Sequence, residues 1–144
     1  MEVGRSIPRV DAADKVTGRA RYTDDFHESP MLVAKILHST IANGVVKSMD
    51  ISAAQALPGV VKVVTCFDVP DIQFPTPGHP WSVEKAHQDV SDRKLLNRRV
   101  RIYGDDIAAV VAEDEITARR ALELIRVEYE EYPVCLDPEE SMRG

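Results

Sequence analysis

Short apolar runs of strand length alternate with polar turns over the first half of the chain. The run MLVAKILHS is rich in branched apolar residues, which favour the pleated, half-buried surface of a β-sheet. Asn43-Gly44 is a strong turn signal, and Pro58-Gly59 ends a run of helix-forming residues that begins at Ser52. The pattern therefore predicts, in order, strand 31–39, strand 45–51, helix 53–57 with Ser52 as its N-cap, and strand 60–67.

The same signals return after a long polar segment. Residues 68–94 hold four prolines, the only tryptophan and two of the four histidines, which is the composition of a loop. Beyond it, RVRIY predicts a short strand, IAAVVA a buried strand and RVEYEEY a final alternating strand. Between the last two, EDEITARRALELI predicts an amphipathic helix with Asp114 as N-cap and with Ile116, Ala121, Leu122 and Ile125 near one face. Residues 1–30 and the tail DPEESMRG are polar and turn-rich.

This order of elements predicts an α+β fold, built on a mixed β-sheet with two main helices on one side. A chain of 144 residues has the length of one ordinary domain. We therefore expect a single domain over residues 1–144, with a long loop over Asp68–Lys94. Hydrophobic residues make up 44% of the chain, enough for a core that needs no disulfides.

Charge and cysteine usage exclude several classes of function. The net charge of −6 argues against a nucleic-acid partner, because a phosphate backbone is bound by surplus Lys and Arg. Cys66 and Cys135 form no C-x-x-C pair, so we expect no iron–sulfur cluster or zinc site, and a reducing compartment. No apolar run is long enough to span a membrane. These features predict a cytoplasmic protein without nucleic-acid or membrane partners.

The string Tyr103-Gly104-Asp105-Asp106 occurs in template-directed RNA polymerases, where its acids hold two metal ions. Two-metal catalysis needs further carboxylates, and a polymerase needs a basic groove, which this acidic chain does not suggest. Gly readily adopts positive φ, and an Asp side chain accepts hydrogen bonds from nearby backbone N–H groups. Gly104, Asp105 and Asp106 are therefore predicted to form a turn between strands, and YTDDF is predicted to form a turn or cap.

The remaining candidates are isolated polar residues. Lys15 precedes a glycine-containing turn, as does the modified lysine of biotin and lipoyl carriers, although a solvated surface lysine is commoner. His87 and Asp89 are spaced to begin a metal site, but no group that would orient them is visible. Trp81, with His79 in PGHPWS, either packs its loop on the core or fills a pocket in a partner. We predict His79 and Trp81 as docking or substrate-channel residues, and no catalytic, cofactor-binding or metal-ligating residue.

Taken in order, the segments resemble the large, molybdenum-binding subunit of the xanthine dehydrogenase/aldehyde oxidase family. They are VGRSIPRVDAADKVTGRARYTDDF, MLVAKILHSTIANG, SAAQALPGVVKVVTCFDVPD, RVRIYGDDIAAVVAED and ALELIRVEYEEYPVCLDPEE, and they cover nearly the whole chain. DVPDIQFPTPGHPWS is most similar to the xanthine dehydrogenase branch. Many relatives have Gly-Gln-Pro where this chain has Gly104-Asp105-Asp106, a variation that suits a turn better than a catalytic pair.

The resemblance implies the N-terminal α/β hammerhead domain of a larger molybdopterin-binding subunit. It implies an oxidoreductase of purine catabolism that hydroxylates a purine or related heterocycle with water-derived oxygen. Molybdopterin with molybdenum, [2Fe–2S] clusters and FAD are then expected in the complete enzyme, none of them bound by this segment. The implied partners are the remaining molybdopterin-binding domains and the iron–sulfur and FAD subunits or domains. The segment alone would be an inactive scaffold. An autonomous binding or carrier module with a modified Lys15 is the alternative hypothesis.

Overall fold

The computed structural model describes residues 4, 6–75, 84 and 90–143, and the chain divides into two compact units. The first unit, Met1–Met31, contains helix α1 (Ala12–Val16) and one turn of 3₁₀ helix (Thr23–Asp25), neither of which buries a residue. Helix α1 was not expected, since residues 1–30 were predicted only as polar turns. The single-domain organisation stays a prediction.

The second unit, Leu32–Gly144, holds all the strands found in the described residues. Its elements are β1 (Val33–His38), β2 (Gly44–Asp50), α2 (Ser52–Gln55), β3 (Val60–Thr65), β4 (Arg99–Val100), β5 (Asp106–Ala112), α3 (Glu115–Leu124), β6 (Arg126–Glu131) and α4 (Pro138–Arg143). The predicted α+β class and the order of its main elements are confirmed. Helix α4 was missed, although Asp137 before a proline and two glutamates is typical of a helix start.

The strands form two sheets of three strands, with orders β1-β5-β3 and β4-β2-β6. Every pair among these strands is antiparallel. The structure therefore has two antiparallel sheets where the sequence predicted a single mixed sheet. The turn at Asn43-Gly44 does not pair β1 with β2; it passes the chain from one sheet to the other. Alternation along a strand identifies its buried face but not its neighbour, which is set by distant parts of the chain.

Strand β5 contributes to both hydrophobic clusters of the core. Val110 packs in a cluster with residues of β3, α2 and α3, whereas Ile107 packs in a second cluster with residues of β2 and β4. Both side chains are fully buried. The central strand of the first sheet thus also holds the second sheet in place through apolar contacts, and the turn that precedes it is anchored to this core.

Of the two helix N-caps predicted from the sequence, one is correct. Asp114 is the N-cap of α3, and its carboxylate accepts a hydrogen bond from the Thr117 backbone N–H at 2.8 Å, as expected. Ser52 is not the N-cap of α2 but its first residue, and the Asp50 carboxylate accepts from its N–H at 3.0 Å. Ile116, expected near the apolar face of α3, is 65% exposed. The buried face uses small residues instead, since Ala118 and Ala121 let the helix approach the sheet closely.

Candidate functional site

The turn before β5 is closed by the side chain of Asp105. This carboxylate is 9% exposed, and its Oδ2 accepts hydrogen bonds from the backbone N–H groups of Arg101 at 2.7 Å and Ile102 at 3.3 Å. Gly104 has φ +94°, the left-handed conformation that favours glycine. Because Asp105 takes these N–H groups, strand β4 stops at Val100, shorter than the strand predicted for RVRIY.

Ser39, which lies 66 residues before Asp105, also holds this turn in place. Its hydroxyl is buried and accepts from the backbone N–H groups of Gly104 at 3.2 Å and Asp105 at 3.1 Å. The hydroxyl also lies 3.2 Å from the Ile102 carbonyl, to which it can donate. The Ser39 N–H donates to the Asp105 carbonyl at 2.8 Å. Sequence reasoning missed Ser39, whose only signal was a small polar residue at the end of an apolar run.

The two acids of the turn have separate partners and do not form a metal pair. Asp106 begins β5, and its Oδ1 lies 2.9 Å from Nδ1 of His38, whereas the Asp105 carboxylate is occupied by backbone N–H groups. The part of the chain that the structure describes contains no group of three or more His, Cys, Asp or Glu residues that could hold a metal ion. Among the described residues, the two acids therefore serve the turn and its His38 contact, and no third metal-ligating group joins them.

The locked turn displays apolar side chains to solvent. Ile102 is 56% exposed and Tyr103 is 72% exposed, although the backbone between Arg101 and Asp105 is held by the buried hydrogen bonds. Beside them lies a cleft of about 350 Å³, lined in part by the exposed side chains of Phe74 and Leu95. We call Phe74, Leu95, Ile102 and Tyr103 the turn surface.

The stem of the long loop stands at the same place. Phe74 and Arg93 form an antiparallel bridge, with Phe74 N–H donating to the Arg93 carbonyl at 2.9 Å and Arg93 N–H donating to the Phe74 carbonyl at 3.2 Å. The two ends of the loop are thus joined next to the turn surface. His79 and Trp81, the predicted docking residues, and His87 with Asp89 lie outside the described residues.

Lys15 does not sit where a carrier would need it. It lies on α1 and forms an ion pair with Asp11, rather than standing at the tip of a β-hairpin. The Lys15 ammonium, together with Arg9, lowers the pKa of the Asp11 carboxyl. YTDDF forms the predicted cap, since Asp25 accepts from the Tyr22 N–H at 2.8 Å. Asp11 and Asp25 therefore stabilise the local structure of the first unit.

Cys66 is a half-buried thiol that packs against the second hydrophobic cluster. Burial raises the pKa of this thiol, which keeps it protonated and unreactive at neutral pH. Cys135 is exposed and reduced. Across the described ranges, no helix is both long and apolar enough to cross a bilayer.

Comparison with known proteins gives concordant matches. A family model described as aldehyde oxidase and xanthine dehydrogenase, a/b hammerhead domain, matches residues 17–133. The xanthine dehydrogenase molybdenum-binding subunit of Escherichia coli O157:H7 is 49% identical over 134 residues, 93% of this chain and 18% of that protein. The carbon monoxide dehydrogenase large chain of Afipia carboxidovorans is 33% identical over 142 residues, 97% of this chain and 16% of that protein.

A solved structure extends the match to three dimensions. The structure of quinoline 2-oxidoreductase from Pseudomonas putida 86 superposes with a TM-score of 0.81 at 33% identity, covering 100% of this chain and 18% of the other. The chain therefore spans less than a fifth of the length of these relatives.

Proposed function

Because the chain belongs to the α/β hammerhead domain family of aldehyde oxidase and xanthine dehydrogenase, we propose that it is the N-terminal scaffolding domain of a molybdenum hydroxylase. The complete enzyme is xanthine dehydrogenase-like and acts on a purine or a related heterocycle. In this reaction one ring C–H and one water molecule become one C–OH, two protons and two electrons. The higher identity to the xanthine dehydrogenase subunit than to the carbon monoxide dehydrogenase chain supports the purine assignment.

The cofactors of this proposal lie outside the segment. Molybdopterin with molybdenum would supply the oxidising chemistry of the complete enzyme, with [2Fe–2S] clusters and FAD as its further redox groups. The described residues do not fit these groups, since they include no cluster of metal-ligating side chains and the two cysteines are free. The partners are therefore the remaining molybdopterin-binding domains of the same subunit and the iron–sulfur and FAD subunits or domains, in the cytoplasm.

The observation that carries the scaffolding role is the locked turn with its exposed apolar side chains. A turn held by hydrogen bonds to Asp105 and Ser39 limits the backbone conformations of Ile102 and Tyr103, so less conformational entropy is lost when their side chains are covered. Large apolar side chains held outward in this way are typical of interface anchors, among which Tyr is enriched. We expect the turn surface to pack against the remaining part of the subunit.

The test uses the complete subunit in its assembled enzyme, purified with the double substitution Ile102→Ser and Tyr103→Ser. We expect a lower yield of molybdenum-containing enzyme, because the apolar contact that holds the scaffold in place is lost. Ile116→Ser is the matched control, since Ile116 is equally exposed on α3, away from the turn. Equal molybdenum content in all three proteins would remove the scaffolding role from this surface.

The substrate is tested on the same preparation. The wild-type enzyme should oxidise xanthine or hypoxanthine and incorporate ¹⁸O from labelled water into the product. A molybdenum-containing enzyme that oxidises an aldehyde or carbon monoxide but neither purine would contradict the purine assignment and leave the scaffolding role standing.

A further inference from the structure

A second cleft, of about 620 Å³, lies between the end of β3 and the segment that leads into β4. Its apolar lining includes Phe67, Val69 and Pro70, and its cationic lining consists of Lys94, Arg98 and Arg99. Among the described residues that line the cleft, Asp71 is the only acid, and it forms an ion pair with Lys94. The cleft is thus positively charged, although the chain as a whole carries a net charge of −6.

Two adjacent arginines supply that charge without meeting a carboxylate in the described residues. Arg98 donates from Nε to the Val46 carbonyl at 3.3 Å, and its guanidinium stands 5.4 Å from the centre of the Phe67 ring. Arg99 donates to the Gly44 carbonyl at 2.9 Å and to Asn43 Oδ1 at 2.7 Å. Both arginines are thus held only by neutral groups of the described residues.

Arg98 is therefore oriented but not neutralised. Its Nε and the Phe67 ring hold the guanidinium in place, which leaves the two terminal nitrogens for a further acceptor. A carboxylate matches this fork with two parallel hydrogen bonds, and an Arg already positioned loses less entropy in forming them. The side chain of Phe67 is exposed beside the fork, so it can cover an apolar neighbour of that carboxylate.

We infer that this cleft binds a segment of the remaining molybdenum-binding subunit that carries an Asp or Glu next to an apolar side chain. The inference rests on the proposed function, which places most of the subunit outside residues 1–144, since this chain spans 18% of its xanthine dehydrogenase relative. A protein segment is favoured over a small anion because Arg98 and Phe67 are exposed, whereas small-ligand pockets enclose most of their ligand. Arg and aromatic side chains together are characteristic of protein interfaces.

The site is tested by photo-cross-linking in the complete, assembled enzyme. Benzoylphenylalanine replaces the exposed Pro70 in the cleft, or Arg120 on α3 as the control position, and the cross-linked peptide is identified by mass spectrometry. The expected product from position 70 joins it to one peptide of the same subunit, outside residues 1–144, that contains Asp or Glu. A cross-link to another subunit, or a yield no higher than from position 120, would overturn the assignment.

Charge variants then test the role of Arg98 in the same cross-link. Arg98→Glu should lower the yield about tenfold, the loss expected when one hydrogen-bonded charged pair is removed. Arg120→Glu changes the net charge equally and should leave the yield unchanged. Replacing the identified acid by Lys should restore the yield in the Arg98→Glu protein, and failure to restore it would overturn the pairing.

Failure of this inference is distinguishable from failure of the proposed function. Molybdenum content, measured on the same preparation, reports whether the protein is a molybdenum hydroxylase at all. An enzyme that contains molybdenum but gives no cross-link from position 70 refutes the cleft assignment alone.

Discussion

At the scale of single residues, the buried contact between Ser39 and the turn before β5 is central to the account. Asp105 holds the turn from within, through two backbone N–H groups, and Ser39 holds it from 66 positions away. The turn itself was predictable, because Gly and Asp have local reasons to be there. Ser39 was not predictable, because its role depends on a contact between distant parts of the chain.

Ser39→Ala should lower the free energy of unfolding by about 1 kcal/mol, because the N–H groups of Gly104 and Asp105 each lose one of their two acceptors and keep a backbone carbonyl. Urea denaturation of this chain measures the change. Ser48→Ala is the control, since the Ser48 hydroxyl donates to Glu128 at an exposed position, 2.9 Å away. The free energy of unfolding of the Ser48→Ala variant should stay within about 0.5 kcal/mol of the wild-type value. Similar losses in the two variants would mean that the Ser39 hydroxyl does not support the turn.

Asp114 makes one part of the stability depend on pH. Hydrogen bonds from the Thr117 hydroxyl and backbone N–H lower the pKa of this carboxyl below its ordinary value of 3.8. A lowered folded-state pKa gives stability that is complete above 3.8 and is lost as the pH falls through the folded-state value. Asp50 and Asp68 have their pKa values lowered in the same way, by Ser52 and Thr65.

We therefore expect Asp114→Ala to reduce the Tm by a constant amount from about pH 7 to about pH 5, with the difference from wild type shrinking below the ordinary pKa of Asp. Thermal unfolding followed by circular dichroism at several pH values measures this. A difference that grows on acidification would show that the cap acts in some other way.

At the scale of elements, β5 connects the two halves of the core. Its apolar run was identifiable from the sequence because six consecutive small or branched apolar residues suit a buried strand. Its partners were not, because the same pattern fits one mixed sheet or two antiparallel ones. Strand β4 is shorter than the sequence predicted, because the Asp105 carboxylate accepts hydrogen bonds from backbone N–H groups that would otherwise extend the strand pairing.

Ile107→Ala should cost about 2–5 kcal/mol of unfolding free energy, because the fully buried side chain joins β5 to the second cluster. Ile116→Ala is the same substitution at an exposed position of α3, and it should cost less than about 1 kcal/mol. Denaturant unfolding of both variants decides the matter. If Ile116 proved as costly as Ile107, the apolar face expected from the sequence would be the correct one.

At the scale of the whole molecule, the family was predictable from an ordered series of segments rather than from any one motif. The α/β hammerhead fold expected from that resemblance is confirmed by the family match over residues 17–133 and by the TM-score of 0.81. The surface that we propose as the docking site was harder to identify from the sequence. From the sequence alone, apolar residues such as Tyr103 and Leu95 are expected in the core. Only the structure shows that their side chains are exposed and available to a partner.

The most direct test of the central claim is to recover this chain from its native cells with an antibody raised against it, and to measure mass and molybdenum together. We predict a polypeptide several times heavier than 16.0 kDa that contains molybdenum. A polypeptide of 16.0 kDa without molybdenum in its assembly would contradict the claim that the chain is the scaffolding domain of a molybdenum hydroxylase.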